Sequence, residues 1–213
     1  KSNDSKRGFS RVVLLCKNMV GFNNLSNLIT DSYVNLDEGN NFLVSQEQLS
    51  KRSEGLIALS GGIYGDLANA IRSGKQDLIN LSISYWKKNF SDSFYIEITR
   101  TGKDFEDEYI SYAQEISEKH GIPLVASNDV RFIDKKDYLA HEVRVCINNG
   151  SYLKDEKRKS EYNENQYLKS SDEMEELFSD IPAAIENSFE IAKRCNVQLP
   201  LGDIAMPIFP LDE

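Results

Sequence analysis

The chain has 213 residues, with 40% hydrophobic residues, 28% charged residues and a net charge of −9 at pH 7. This length and composition predict a soluble globular domain with its own core and exclude a largely disordered chain. The longest apolar runs, such as residues 12–16, have the length of a strand, so neither a membrane-spanning helix nor a secretory signal is predicted.

The hydrophobic period in the first hundred residues changes repeatedly between that of a strand and that of a helix. It predicts a strand at 11–16, a helix at 20–34, a capping box at Ser45–Gln48, a strand at 55–59, helices at 63–73 and 76–90, and a strand at 94–98. The stretch SGGIYGD (60–66) is either a tight strand-to-helix turn or a phosphate cradle. It lacks the lysine of a P-loop and the GxGxxG spacing of a dinucleotide fold.

The second half continues the same alternation. It predicts a helix at 104–119 that ends at His120-Gly121, a strand at 123–127, a helix at 134–148, a polar and poorly ordered loop at 149–166, helices at 171–179 and 182–195 with Pro182 in the first turn, and an extended tail at 199–213. Short apolar strands that alternate with helices predict a parallel α/β sheet or barrel.

The acidic residues are unevenly distributed. Residues 1–150 carry 18 basic and 20 acidic side chains, whereas residues 151–213 carry 7 and 14. A protein that holds a nucleic-acid backbone unaided should be basic, so self-sufficient DNA binding is disfavoured. The shift near residue 150 predicts a barrel-like body followed by a helical appendage.

The three cysteines, Cys16, Cys146 and Cys195, stand in apolar contexts and form no CxxC pair. They predict a reducing compartment, with neither a disulfide framework nor a zinc knuckle. The chain begins with Lys1 rather than Met, which indicates a piece cut from something longer.

Two histidines are available, and both are better explained by structure than by chemistry. His120 stands at a predicted helix end and His141 in the middle of a predicted helix, where it should be packed and hydrogen-bonded. They are too far apart in sequence for an HxH or HExxH metal site. No D-x-D pair occurs either, so nothing local in sequence indicates a two-metal nucleotidyl-transfer site.

Asp129 is the best single candidate for a site residue. It directly follows the strand predicted at 123–127, and α/β barrels place their sites at the carboxyl ends of their strands. Arg131 points to the same side two residues later, so a salt bridge is the simplest interpretation and a catalytic pair the alternative. Glu97 lies within another predicted strand, on the face opposite its isoleucine neighbours.

Six stretches together resemble the PHP (polymerase and histidinol phosphatase) domain family, in the form found in bacterial DNA polymerase III alpha subunits of the proteobacterial type. They are EGLIALSGG (54–62), FYIEITRTG (94–102), GIPLVASNDVRF (121–132), AHEVRVCINNG (140–150), QYLKSSDEMEELFSDIPAAIENSFEIAKRCNV (166–197) and MPIFP (206–210). The resemblance implies that the chain is the C-terminal two-thirds of that domain. The opening segment, with its HxH and DG motifs, would lie upstream of Lys1.

The fold that the resemblance implies is α/β, an incomplete PHP-type (β/α)7 barrel with a helical C-terminal extension. Residues 1–150 would form the barrel body without its N-terminal strands. Residues 151–213 would form a loop, a helical pair and an extended linker toward the polymerase palm.

Metal-binding members of the family place a histidine in the block that matches Arg100–Gly102, and an Asp-x-His at 129–131. Thr101 and Arg131 stand at the two histidine positions, and only Asp129 is retained. Threonine is a poor metal ligand and arginine a permanent cation. The resemblance therefore implies that Thr101, Asp129 and Arg131 are vestigial metal positions. It implies no catalytic residue, metal or cofactor in this segment, and Arg131 would supply the positive charge of the lost metal.

The leading hypothesis is a catalytically inactive structural and interaction module that docks the proofreading exonuclease subunit and supports the polymerase III core. The parent chain would be a cytoplasmic DNA-directed DNA polymerase, a nucleotidyltransferase that uses Mg²⁺. DNA would be contacted only through that parent chain, and no membrane is involved. The alternatives are a metal-dependent PHP phosphoesterase or nuclease completed by upstream histidines, and a free-standing α/β enzyme with a phosphate site at 60–66.

Overall fold

The computed structural model describes residues 8–35, 42–155, 158, 160–202 and 206. These residues form four strands and eight α-helices: β1 (Val13–Cys16), α1 (Met19–Val34), α2 (Gln46–Lys51), β2 (Leu56–Leu59), α3 (Asp66–Arg72), α4 (Gln76–Phe90), β3 (Phe94–Thr99), α5 (Glu106–His120), β4 (Leu124–Ser127), α6 (Tyr138–Asn149), α7 (Ser171–Leu177) and α8 (Pro182–Arg194). Most of the predicted tail at 199–213 lies outside the described residues, as does most of the MPIFP block.

The strands form one sheet in the order β1-β2-β3-β4. β2, β3 and β4 are parallel, as the alternation of strands and helices predicts. β1 is antiparallel to β2, with Cys16 opposite Leu56, so the expectation of an all-parallel sheet is wrong at this edge. The reason is that the connection through α1 and α2 starts and ends at the same end of the sheet, where the Lys17 N–H donates to the Gly55 carbonyl at 2.8 Å.

β1 also differs in its burial. The apolar run predicts a buried strand over 11–16, but the strand covers 13–16 and all four of its residues are only half-buried because it lies at the sheet edge. The described strands make a four-stranded sheet, and the seven-stranded barrel stays a prediction.

Helices α3, α4 and α5 cover one face of the sheet around Trp86, Phe94 and Tyr109. Phe178 and Ala184, which lie after residue 150, are fully buried in the same core. The other face carries a smaller cluster to which α8 contributes Ile191. The boundary near residue 150 stays a prediction as a domain limit, and the described packing joins residues from both sides of it.

Local sequence signals place several helix ends. Ser45 and Gln48 form the predicted capping box at the start of α2. His120 is the last residue of α5, and Gly121 closes the helix in the left-handed region at φ 64°. The helix predicted at 63–73 is shortened, because Gly65 separates a 3₁₀ turn at Gly62–Tyr64 from α3. Among the described residues, no helix has both the length and the apolar character needed to span a bilayer.

Candidate functional site

A cleft of about 270 Å³ opens at the carboxyl ends of the parallel strands. β3 contributes Glu97 and Thr99, and the end of β4 contributes Ser127 and the turn that follows it. The predicted strand face is confirmed for Glu97, which lines the cleft while both neighbouring isoleucines point into the core. The Ser127 hydroxyl donates to Glu97 Oε1 at 2.6 Å, so the two strand ends are joined across the cleft floor.

Asp129 is the centre of a charged network in this cleft. Its side chain is 13% exposed, and Arg131 Nη2 donates to its Oδ1 at 2.7 Å, so the predicted ion pair is confirmed. Lys103 Nζ lies 3.2 Å and Gln166 Nε2 2.8 Å from Oδ2. Arg11 Nη1 lies 3.8 Å from Oδ1. Sequence reasoning missed these last three partners, and the carboxylate is satisfied on both of its oxygens.

Lys103 is held beside Asp129 by aromatic neighbours. Its Nζ donates to the Tyr64 hydroxyl at 3.0 Å and lies 5.3 Å from the centre of that ring. Burial by itself would lower the pKa of Lys103, but the hydrogen bond to Tyr64 and the charge of Asp129 outweigh it, and the pKa is raised. The ring of Tyr162 lies under the Arg131 guanidinium at 5.1 Å. Both cations are therefore held in place by an aromatic ring as well as by Asp129.

Thr101 is fully buried and is committed to Glu106, the first residue of α5. Its N–H and Oγ1 donate to Glu106 at 2.6 and 2.8 Å. The same carboxylate accepts from Thr99 Oγ1 at 2.9 Å and from the N–H groups of Gly102 and Lys103 at 2.8 and 3.3 Å. Glu106 therefore organises the whole loop between β3 and α5.

The geometry of SGGIYGD supports the tight-turn interpretation. A Cβ on Gly61 would lie 2.2 Å from the Arg11 carbonyl, and one on Gly65 would lie 1.7 Å from the Ser60 carbonyl. Asp66 turns inward and accepts from Ser82 at 2.8 Å, and burial raises its pKa. The glycines are thus required for close backbone contacts, which place the turn against the Asp129 network.

His141 is packed between aromatic rings, as expected. The Tyr162 ring meets it edge-on at 4.8 Å, and the Phe132 ring lies 5.5 Å away. The expected hydrogen bond is not present at Nδ1, which is buried without a partner among the described residues. Burial lowers the pKa of His141, Glu142 opposes this, and the charges of Arg144 and Arg131 add to the lowering.

His141 should make stability depend on pH. Because its pKa is lowered in the folded state, the unfolded chain binds more protons below the ordinary value of about 6.5. Stability is therefore expected to fall as the pH drops through that value and to level off below the folded pKa. We expect urea unfolding at pH 7.5 and pH 5 to show a larger loss for the wild type than for His141→Gln. Carboxylates titrate in both proteins, so parallel losses would contradict the prediction.

The described residues do not fit the metal centre of the metal-binding PHP proteins. No group of three or more histidine, cysteine or acidic side chains among them is placed to hold a metal ion. Asp129 already accepts from cations on both oxygens, and the Thr101 hydroxyl is committed to Glu106. The guanidinium of Arg131 cannot coordinate a metal.

A double-mutant cycle measures the interaction energy between Asp129 and Arg131, the pair at the centre of the network. Arg131→Met combined with Asp129→Asn is expected to show a coupling of about 0.5–2 kcal/mol in unfolding free energy, since the carboxylate is mostly buried. Because Lys103 and Gln166 remain, Arg131→Met alone does not leave Asp129 unpaired. The matched control is the exposed pair Lys136–Asp134, 3.2 Å apart, which should show no measurable coupling. A value for Arg131 equal to that control would contradict the prediction.

Comparisons with known proteins agree with the resemblance. Residues 3–101 match the family model described as "PHP domain". The chain is 41% identical over 201 residues to "DNA polymerase III subunit alpha" of Vibrio cholerae serotype O1 and, equally, of Escherichia coli K12, covering 94% of this chain. It is 40% identical over 212 residues to the protein of that name from Pseudomonas fluorescens, covering 100% of this chain.

These findings confirm that the chain contains a PHP domain and is related to the alpha subunits of proteobacteria. The chain spans only 17–18% of the length of these relatives. The family match ends at Thr101, so Asp129 and Arg131 lie beyond it and within the stretch that is aligned with the alpha subunits.

Proposed function

We propose that this chain, with its PHP domain and its likeness to one segment of DNA polymerase III alpha subunits, is part of a replicative polymerase of that kind. The parent polypeptide would be a DNA-directed DNA polymerase whose Mg²⁺ is bound outside these residues. The segment itself would be catalytically inactive. It would support the polymerase core and dock the proofreading exonuclease subunit.

The observation that supports this proposal most directly is that protein side chains already occupy the carboxylate of Asp129. In a metal-dependent site this carboxylate would be available to a cation from solution. Here Lys103 and Arg131 contact it at 3.2 and 2.7 Å, and Gln166 fills a further hydrogen-bonding position. A network of fixed cations can join strand ends and loops as a metal cluster would, without offering an activated water. This favours a structural role for the site.

Metal content tests the inactive role. We expect the full-length polypeptide, purified without chelator, to contain close to zero equivalents of zinc, manganese and iron by elemental analysis, apart from metal bound at the polymerase site. Substitution of Asp129 by asparagine should leave the content unchanged, because the residue already has protein partners. One or more equivalents that disappear in the Asp129→Asn variant would contradict the proposal.

Docking is tested separately by hydrogen–deuterium exchange on the full-length polypeptide with and without the proofreading subunit. We expect a stable complex in which peptides of this segment exchange more slowly than in the free polypeptide. A complex with protection only outside these residues, or no complex at all, would remove the interaction role.

The second candidate is a metal-dependent phosphoesterase or nuclease. The cleft favours it because Glu97 within β3 and Asp129 just after β4 both line an open space. Cleavage of a phosphodiester that depends on Mn²⁺ and is lost in Asp129→Asn would establish this candidate in place of the structural role.

A further inference from the structure

The outer face of α6 carries an apolar ridge that no described residue covers. Leu139, Val143 and Ile147 are 61%, 41% and 76% exposed. A spacing of four residues places them side by side along the helix. The adjoining face of α6 is turned inward, with Glu142 and Cys146 buried. Helix α6 therefore exposes a row of apolar side chains on the surface of the protein.

The exposed charge on α6 itself is positive. Glu142 is the only acidic residue of α6, and it is buried against Arg158 Nη2 at 2.5 Å. Arg144 is exposed next to Val143 and makes no ion pair with any residue in the described part of the chain. The exposed face of α6 thus offers three apolar side chains and Arg144, a cation without an ion-pair partner among the described residues, on a chain whose net charge is −9.

We propose that this face docks an amphipathic helix of a partner protein, with apolar residues on the ridge and a carboxylate beside Arg144. The ridge runs over eight residue steps, about 12 Å of helix, which matches two to three turns of a single partner helix. Such a contact is smaller than the interface of a stable homodimer, so a second copy of the chain fits it less well. The inference rests on the interaction role proposed above, and its test allows the two to fail separately.

The probe is a pair of fluorescein-labelled helical peptides of about 20 residues, long enough to populate a helix. Both carry a leucine ridge, and they differ only in having glutamates or lysines beside it. Fluorescence anisotropy with the full-length polypeptide should show the glutamate peptide binding about tenfold more tightly than the lysine peptide. Arg144→Glu should reverse that order, since it changes only the sign of the flanking charge.

Ile147→Asp should abolish binding of both peptides. Leu81→Asp is the matched control, because Leu81 is 65% exposed on α4, and it should leave binding unchanged. The inference is overturned by equal affinity of the two peptides, by binding that survives Ile147→Asp, by self-association that Ile147→Asp removes, or by no binding. If the proofreading subunit protects this segment but binds Ile147→Asp as tightly as wild type, the inference fails and the interaction role stands.

Discussion

Replacing Trp86 with alanine should lower the free energy of unfolding by about 3–5 kcal/mol, measured by urea denaturation. The indole is 4% exposed and stacks on Phe94 with ring centres 4.8 Å apart and an interplanar angle of 2°. Its Nε1–H also donates to both carboxylate oxygens of Asp66, at 3.1 and 3.0 Å. Alanine would leave a large cavity between α4 and the sheet and would remove a donor from a buried carboxylate.

Two variants separate packing from hydrogen bonding at this position. Trp86→Phe keeps most of the ring contact and loses the donor, so it should cost about 1–2 kcal/mol. Leu81→Ala lies on the exposed side of the same helix and should change stability by less than about 0.5 kcal/mol. If Trp86→Ala costs no more than Leu81→Ala, α4 does not pack on the sheet as described.

The fold was predictable where hydrophobic period alone decides it. β3 and β4 are short apolar runs between helices, and both appear within one or two residues of their predicted limits. The direction of β1 was not predictable, because an apolar run has the same pattern in either orientation. Only the closure between Lys17 and Gly55 determines it, and that contact joins residues far apart in sequence.

The candidate site was likewise predictable only in part. Asp129 and Arg131 stand two residues apart, so their pairing could be predicted from the geometry of an extended segment. Lys103, Arg11 and Gln166 reach the same carboxylate from three other parts of the chain. Gln166 is fully buried although it ends the stretch predicted as a polar, poorly ordered loop. Composition predicts the average exposure of such a loop, but it does not indicate which single side chain, here the amide of Gln166, turns inward.

The role of Glu106 was not predictable from the sequence for a related reason. An acidic residue in the first turn of a helix is ordinarily an exposed complement to the helix dipole, as Glu108 is here. Glu106 is 4% exposed instead, and its partners are the hydroxyls and N–H groups of residues 99–103. Thr101 fits this role well because a threonine supplies two donors, its N–H and its hydroxyl, to one carboxylate. Thr101 therefore has a structural partner, as expected if hydrogen bonding takes the place of metal ligation at this position, which the family resemblance implies.

Glu106→Ala should consequently lower the free energy of unfolding by about 3 kcal/mol or more, since it leaves several buried donors without an acceptor. Glu106→Gln keeps the size but sets amide hydrogens against N–H donors, and should cost about 1–2 kcal/mol. Glu108→Ala removes an acid from the same turn that has no such partners, and should change stability by less than about 0.5 kcal/mol. Thermal and urea unfolding of the three variants measure these differences. Equal effects for Glu106→Ala and Glu108→Ala would mean that the loop between β3 and α5 is held by something other than this carboxylate.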